Sequence, residues 1–163
     1  METFVFEKLA PEHATGVMEI FNYYAENSFA AYPERALPEP FFGKMLEMTS
    51  GYPAYAILSD KKVAGFCFVR AYNPFQVFSQ SAEISYFIAK DHIGKGLGRK
   101  ALDKLETDAK EMGIKKILAS VTSENFQSLE FHKKNGFSEC GRLPGIGEKF
   151  GKSFDIVWLI KNL

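Results

Sequence analysis

Hydrophobic positions in this chain switch between two repeat lengths, and the switches lay out alternating strands and helices. Residues 3–9 alternate with a period of two and predict a strand. Over 11–24, Ala14, Val17, Phe21 and Tyr24 recur on one helical face behind Pro11, a residue suited to a first turn. A second helix is expected over 38–48. Segments 55–58 and 63–70 are apolar and strand-like around the turn Asp60-Lys61-Lys62, and 83–88 is a further strand after a loop marked by Asn73 and Pro74. Leu97, Ala101, Leu102, Leu105, Ala109 and Met112 share one face of a helix that Gly113 stops. A strand over 117–121 follows, then a helix over about 125–135 ended by Gly136. Strands near 137–143 and 153–160 close the pattern, joined by what reads as a long glycine-containing loop, 144–151. The expected architecture is one α/β domain over 1–163, a mixed sheet of about seven strands with flanking helices.

Between the strand at 83–88 and the helix beginning at Leu97 lies Ile93-Gly94-Lys95-Gly96-Leu97-Gly98-Arg99. Alternating glycines let backbone N–H groups crowd an anion at a helix start, which is a phosphate cradle. A Walker loop is excluded, because Gly98 is followed by Arg99 and Lys100 instead of Lys and Ser or Thr. A dinucleotide fingerprint through Gly96, Gly98 and Ala101 lacks its ribose-binding acid, since the next strand ends in Ser120 and Thr122. A plain capping turn explains one glycine and leaves the others without a purpose.

Composition narrows the partners. Twenty basic and twenty acidic residues cancel, which argues against a nucleic-acid binder relying on bulk positive charge. Cys67 and Cys140 suggest neither a disulfide framework nor a metal cluster, and His13, His92 and His132 lack metal-ligand spacing, so no metal is expected. His13 and His92 read as surface residues. The N-terminus alternates like a strand and lacks a signal peptide's apolar block, and no stretch approaches membrane-spanning length. A cytoplasmic protein with no membrane partner is the expectation.

With this element order, the chain resembles the GCN5-related N-acetyltransferase superfamily. Within it the chain is most similar to the phosphinothricin and methionine sulfoximine acetyltransferase group. The resemblance runs through Asn22-Tyr23-Tyr24-Ala25-Glu26-Asn27-Ser28, Glu83, Asn125, His132 with Gly136-Phe137, Gly141-Arg142-Leu143, Gly147-Glu148-Lys149-Phe150-Gly151 and Asp155. Two positions depart from it: Ile93 stands where the superfamily usually has Arg or Gln, and Ser153 where the group usually has Trp.

The resemblance implies acetyl-CoA as cosubstrate, with its pyrophosphate on Ile93, Gly94, Lys95, Gly96, Leu97, Gly98 and Arg99. Phe87, Ile88, Asn125 and Ser128 would serve the rest of the cofactor. It implies direct transfer to the primary amine of a small amino-acid-like molecule, and a homodimer. Glu83, which opens an otherwise mostly apolar strand, is the expected base; the rival reading is a sheet-edge carboxylate facing solvent. His132 stands where relatives carry the donor that protonates the leaving thiolate, the rival being a packed helix histidine. Asn125 has two readings, a pantetheine contact and a helix cap, which the sequence leaves open. Phe29, Tyr32, Tyr72 and Phe75 are loop aromatics that the fold would set around the acceptor. Arg35, Arg70 or Lys149 would supply a cation to a substrate carboxylate. Two other functions stay open: acetylation of a protein N-terminus or lysine, and a non-catalytic acetyl-CoA-binding module.

Overall fold

The computed structural model describes residues 1–163. In chain order the elements are β1 (Phe4–Lys8), α1 (Ala14–Asn27), α2 (Phe42–Met48), β2 (Ala54–Ser59), β3 (Lys62–Ala71) and β4 (Ser81–Ile88), then α3 (Leu97–Glu111), β5 (Lys116–Thr122), α4 (Phe126–Lys134), β6 (Ser138–Lys149) and β7 (Lys152–Asn162). The seven strands form one sheet in the order β1-β2-β3-β4-β5-β7-β6. Every neighbouring pair is antiparallel except β4 and β5.

Both faces of the sheet are covered, which is why β3 reads as a run of six buried residues, 64–69, with no polar position among them. Phe66 and Phe68 point to the side of α1 and α2, where Val17, Met18, Phe42 and Met45 complete one core. Cys67 and Val69 point the other way, toward the face of α3 formed by Leu97, Ala101, Leu102, Leu105 and Ala109. Each fully buried leucine on that face is worth about 1.5–3 kcal/mol relative to exposure. The β2–β3 turn is tight, with Asp60 and Lys61 at φ of 47° and 64°, the handedness that a two-residue hairpin requires.

Four expectations are corrected. The first helix is a 3-10 turn over Pro11–His13 before α1, which runs on to Asn27, and the second becomes α-helical only at Phe42. The supposed loop 144–151 is strand for most of its length: β6 continues to Lys149 and pairs through Gly147, Glu148 and Lys149 with Phe154, Ser153 and Lys152. Pro144 and Gly145 fall in a bulge between Leu143 and Gly147, which an edge strand tolerates because no neighbour needs the missing N–H. Gly147 is required by space, since a Cβ there would lie 2.3 Å from the Phe154 ring. Finally, His13 is buried and not on the surface: its Nδ1 accepts the Ala10 N–H at 3.0 Å and its Nε2 meets Glu7 at 3.1 Å.

Candidate active site

The site begins where two strands part. β4 and β5 pair over only three positions, Ser81↔Lys116, Ala82↔Ile117 and Glu83↔Leu118, although they continue to Ile88 and Thr122. Beyond Glu83 the facing backbone edges open into a cleft of about 1070 Å³ that runs from the 28–33 segment and α2, between the strands, to the start of α3. Backbone groups along such an opening seek partners from outside the sheet.

The glycine loop forms one end. Gly94 and Gly96 have φ of 82° and 78°, and Gly96 is the residue that caps α3. No atom lies within 4 Å of a Cβ built on either, so the need for glycine is conformational and leaves the loop open toward the cleft. Gly98 differs from both: a Cβ there would make only an ordinary contact with the Phe131 ring at 3.5 Å, so neither backbone conformation nor space in this structure demands glycine at that position. The free N–H groups of a 15-residue helix end here, a setting that suits pyrophosphate. Ile93, Gly94, Gly96, Leu97, Gly98 and Arg99 line this end, whereas Lys95 is turned away onto Glu2 at 2.6 Å. Arg99 is held by Asp103 at 2.9 Å, an exposed pair that a ligand can exchange.

The other end is built from side chains. Glu83 lies opposite Arg70 in the β3–β4 register, with Oε2 3.2 Å from Arg70 Nη2, and its side chain is only 13% exposed. It is therefore inside the cleft on a central strand, not on a solvent-facing edge. Arg70 also touches Met48 Sδ at 3.1 Å, and its Nε is buried with no partner, an unsatisfied donor at the cleft wall. Phe29 and Tyr32 line the same end. Phe29 packs edge-on against Phe154, and its carbonyl accepts from Thr122 Oγ1 at 3.0 Å.

Three of the sequence-predicted acceptor residues lie elsewhere. Tyr72 and Phe75 are exposed on the β3–β4 connection and do not line the cleft. Lys149 is 2% exposed behind the cleft wall, where its ammonium donates to the carbonyls of Ala25, Ser28 and Ala31 at 2.7, 2.5 and 2.6 Å. Its pKa is lowered by burial, with Glu34 pulling it back up. It thus ties the 25–31 segment to the β6–β7 hairpin. Arg35 is exposed and outside the cleft, which leaves Arg70 as the one of the three proposed cations that faces it.

His132 is 3% exposed on α4, in the middle of the cleft's length. Its Nδ1 meets the Ser128 carbonyl at 2.6 Å and Ser128 Oγ at 3.2 Å, and its Nε2 is hydrogen-bonded to the Tyr86 hydroxyl. The two rings stack, with centroids 5.5 Å apart. Burial lowers the His132 pKa, opposed by the Ser128 carbonyl, and burial raises that of Tyr86. Tyr86 is the functional candidate that the sequence reading missed. Only its alternation with Glu83 along β4, one residue on each face, could have drawn attention to it. Asn125 caps α4, its Oδ1 accepting the Ser128 N–H at 3.2 Å, and both residues line the cleft along with Phe87 and Ile88. The Ile88 carbonyl already accepts from the Tyr24 hydroxyl. Elsewhere, no group of three or more His, Cys, Asp or Glu side chains is arranged to hold a metal ion, and no helix is long and apolar enough to cross a membrane.

A sheet split between its fourth and fifth strands, with a glycine loop leading into a helix at the opening, is the framework of an acyl-CoA-dependent acyltransferase. The chain matches the model of the acetyltransferase (GNAT) family over residues 17–137 and belongs to that family. It is 33% identical over 110 residues to the L-amino acid N-acyltransferase MnaT of Escherichia coli, covering 68% of this chain and 64% of that protein. It is 29% identical over 154 residues to an L-methionine sulfoximine/L-methionine sulfone acetyltransferase of Pseudomonas aeruginosa, covering 91% and 88%. Among solved structures it is similar to a ribosomal-protein-alanine N-acetyltransferase of Brucella melitensis (27% identity, TM-score 0.90, 98% and 99% covered). It is also similar to yncA of Salmonella typhimurium, solved with its cofactor acetyl-CoA (25%, TM-score 0.89, 98% and 94%).

Proposed function

We infer that the protein transfers the acetyl group of acetyl-CoA directly to the primary amine of a small amino-acid-like molecule, of the methionine sulfoximine or phosphinothricin kind. The observation that carries this reading is the Glu83–Arg70 pair inside the cleft, a base and a cation 3.2 Å apart where the two strands separate. An ammonium must lose a proton before it can attack, and Glu83 is the carboxylate positioned to take it, directly or through water. Arg70, whose side chain is 38% exposed and lines the cleft, offers guanidinium N–H donors to the carboxylate of the same molecule. The glycine loop holds the pyrophosphate of acetyl-CoA. The free edge of β4 past Glu83 receives the pantetheine arm, and its amides stabilise the charge that develops on the thioester oxygen. Asn125 is committed to capping α4 through its Oδ1, which leaves its Nδ2 end for the cofactor. Neither cysteine carries an acyl group: Cys67 and Cys140 both lie outside the cleft, and burial pushes the Cys67 thiol well up.

The protein works in the cytoplasm, consistent with two unpaired cysteines, and as a homodimer. A second copy would bury Leu143, Ile146 and Phe150, which are about half exposed along β6 and its turn. Sedimentation of the purified chain tests the dimer. The function itself is tested by following coenzyme A release across free amino acids, methionine sulfoximine, phosphinothricin, polyamines and short peptides. Turnover of one or more free amino acids or analogues is expected. Rapid acetylation of peptides alone would redirect the substrate to a polypeptide, and no release with any amine would favour a binding module.

A further inference from the structure

Acetyl transfer to an amine moves two protons, and Glu83 accounts for one. The second leaves the nitrogen after it has attacked, and one must reach the sulfur as the thiolate departs. Glu83 and Tyr86 project from opposite faces of β4, Glu83 toward Arg70 and Tyr86 toward α4. The Ser128 carbonyl can only accept, so the ring proton of His132 sits on Nδ1. Nε2 is then the acceptor for the Tyr86 O–H. Burial favours the neutral form of both groups, in keeping with that direction. His132 lines the cleft, but its Nδ1 is taken up by the Ser128 carbonyl and its Nε2 by the Tyr86 hydroxyl, so the hydroxyl is the route by which a proton passes between the ring and the cleft.

We propose that Tyr86 and His132 form a two-residue proton relay in which the Tyr86 hydroxyl meets the reacting atoms and His132 stores the proton behind it. The proposal rests on the acetyltransferase reading. As the amine nitrogen bonds to the thioester carbon, the carbonyl electron pair moves to oxygen and the nitrogen becomes positive. Tyr86 Oη takes one N–H proton while its own proton passes to His132 Nε2. The C–S bond then breaks with its electron pair on sulfur, and the carbonyl reforms. The proton on Nε2 returns to Tyr86 Oη as the hydroxyl proton goes to sulfur. The products are an amide and a free thiol, and both residues end as they began. Tyr86 is the catalytic residue of the pair, and His132 acts through it.

Tyr86→Phe removes only the hydroxyl and keeps the ring stacked on His132. Coenzyme A release at saturating amine should fall by on the order of a hundredfold, with acetyl-CoA affinity within about twofold of the wild type. His132→Phe should cost a similar factor, and the double variant little more than either single one, because residues acting as a unit are not additive. The ¹⁵N shifts of His132 give a readout that needs no turnover: an unprotonated, hydrogen-bonded Nε2 in the wild type should change in Tyr86→Phe while Nδ1 stays protonated. Should Tyr86→Phe disturb the fold, 3-fluorotyrosine at position 86 keeps ring and hydroxyl, and its rate should differ from the wild type. A Tyr86→Phe enzyme as fast as an active wild type, or single losses that multiply in the double variant, would overturn the relay alone. Wild-type protein that releases no coenzyme A with any amine would overturn both the relay and the acetyltransferase reading.

Discussion

The two ends of the cleft are built on different principles. At the glycine loop the functional groups are backbone amides, displayed because Gly94 and Gly96 adopt left-handed φ and because α3 begins there. At the opposite end, the proposed acceptor end, they are side chains gathered from β3, β4 and the segment after α1, and held by partners far away in sequence. Arg70 depends on Glu83 and Met48, and the Phe29 segment depends on Lys149. A backbone site is encoded by a short local spacing, whereas a side-chain site is encoded by the whole sheet. Changes at one end should therefore spare the other.

The largest effect is expected from Glu83→Gln, which keeps the shape but removes the base: turnover should drop by about a hundredfold or more, checked by coenzyme A release. Wild-type turnover in this variant would take Glu83 out of the mechanism. Next is Arg70→Met. Losing a charge-assisted hydrogen bond of about 1.5–3 kcal/mol should raise KM for a free amino acid by roughly tenfold or more. The matching carboxamide should be almost unaffected, and equal losses for both would deny Arg70 the carboxylate. Gly96→Val acts at the opposite end. Forcing a β-branched residue to positive φ costs about 1–2 kcal/mol and distorts the loop, so acetyl-CoA affinity should fall roughly tenfold.

Lys149→Met sharpens the comparison further. It strips the partner from three carbonyls, and thermal unfolding should show a loss of about 1–3 kcal/mol. KM for the amine should rise while acetyl-CoA affinity holds, because the 25–31 segment borders the acceptor end. The smallest effect is a pH dependence. Burial holds the His132 pKa below its ordinary value of about 6.5, so the unfolded chain binds the proton first on acidification. This histidine's stabilising contribution is complete above that value and is lost as pH falls through the lower folded one. Denaturant unfolding from pH 7 to 5 should show that decline, and His132→Phe should flatten it.

What the sequence made legible follows the same division. The helices and strands of the core were readable because their periodicity is imposed by one buried face, as in α3, or by two, as in β3. The glycine-loop end was readable because glycines at fixed spacing state a backbone conformation. The 144–151 stretch was misread because Pro and Gly signal a loop, and only the edge position of β6 lets them sit in a bulged strand. Lys149 was expected to reach the substrate, but nothing in the local sequence shows that the end of α1 and the segment after it pass beside it and offer three carbonyls. Arg70 could be named as one of three cations yet not chosen, since the choice depends on the register that sets it across from Glu83. Tyr86 was hidden because its partner, His132, is 46 residues away on another element.

The most direct test of this division is calorimetric titration of acetyl-CoA into three variants, Glu83→Gln, Arg70→Met and Gly96→Val. The two acceptor-end variants should bind within about twofold of the wild type while Gly96→Val loses roughly tenfold. Comparable losses in all three, or an unchanged affinity in Gly96→Val, would contradict a cofactor held by backbone at one end and an amine handled by side chains at the other.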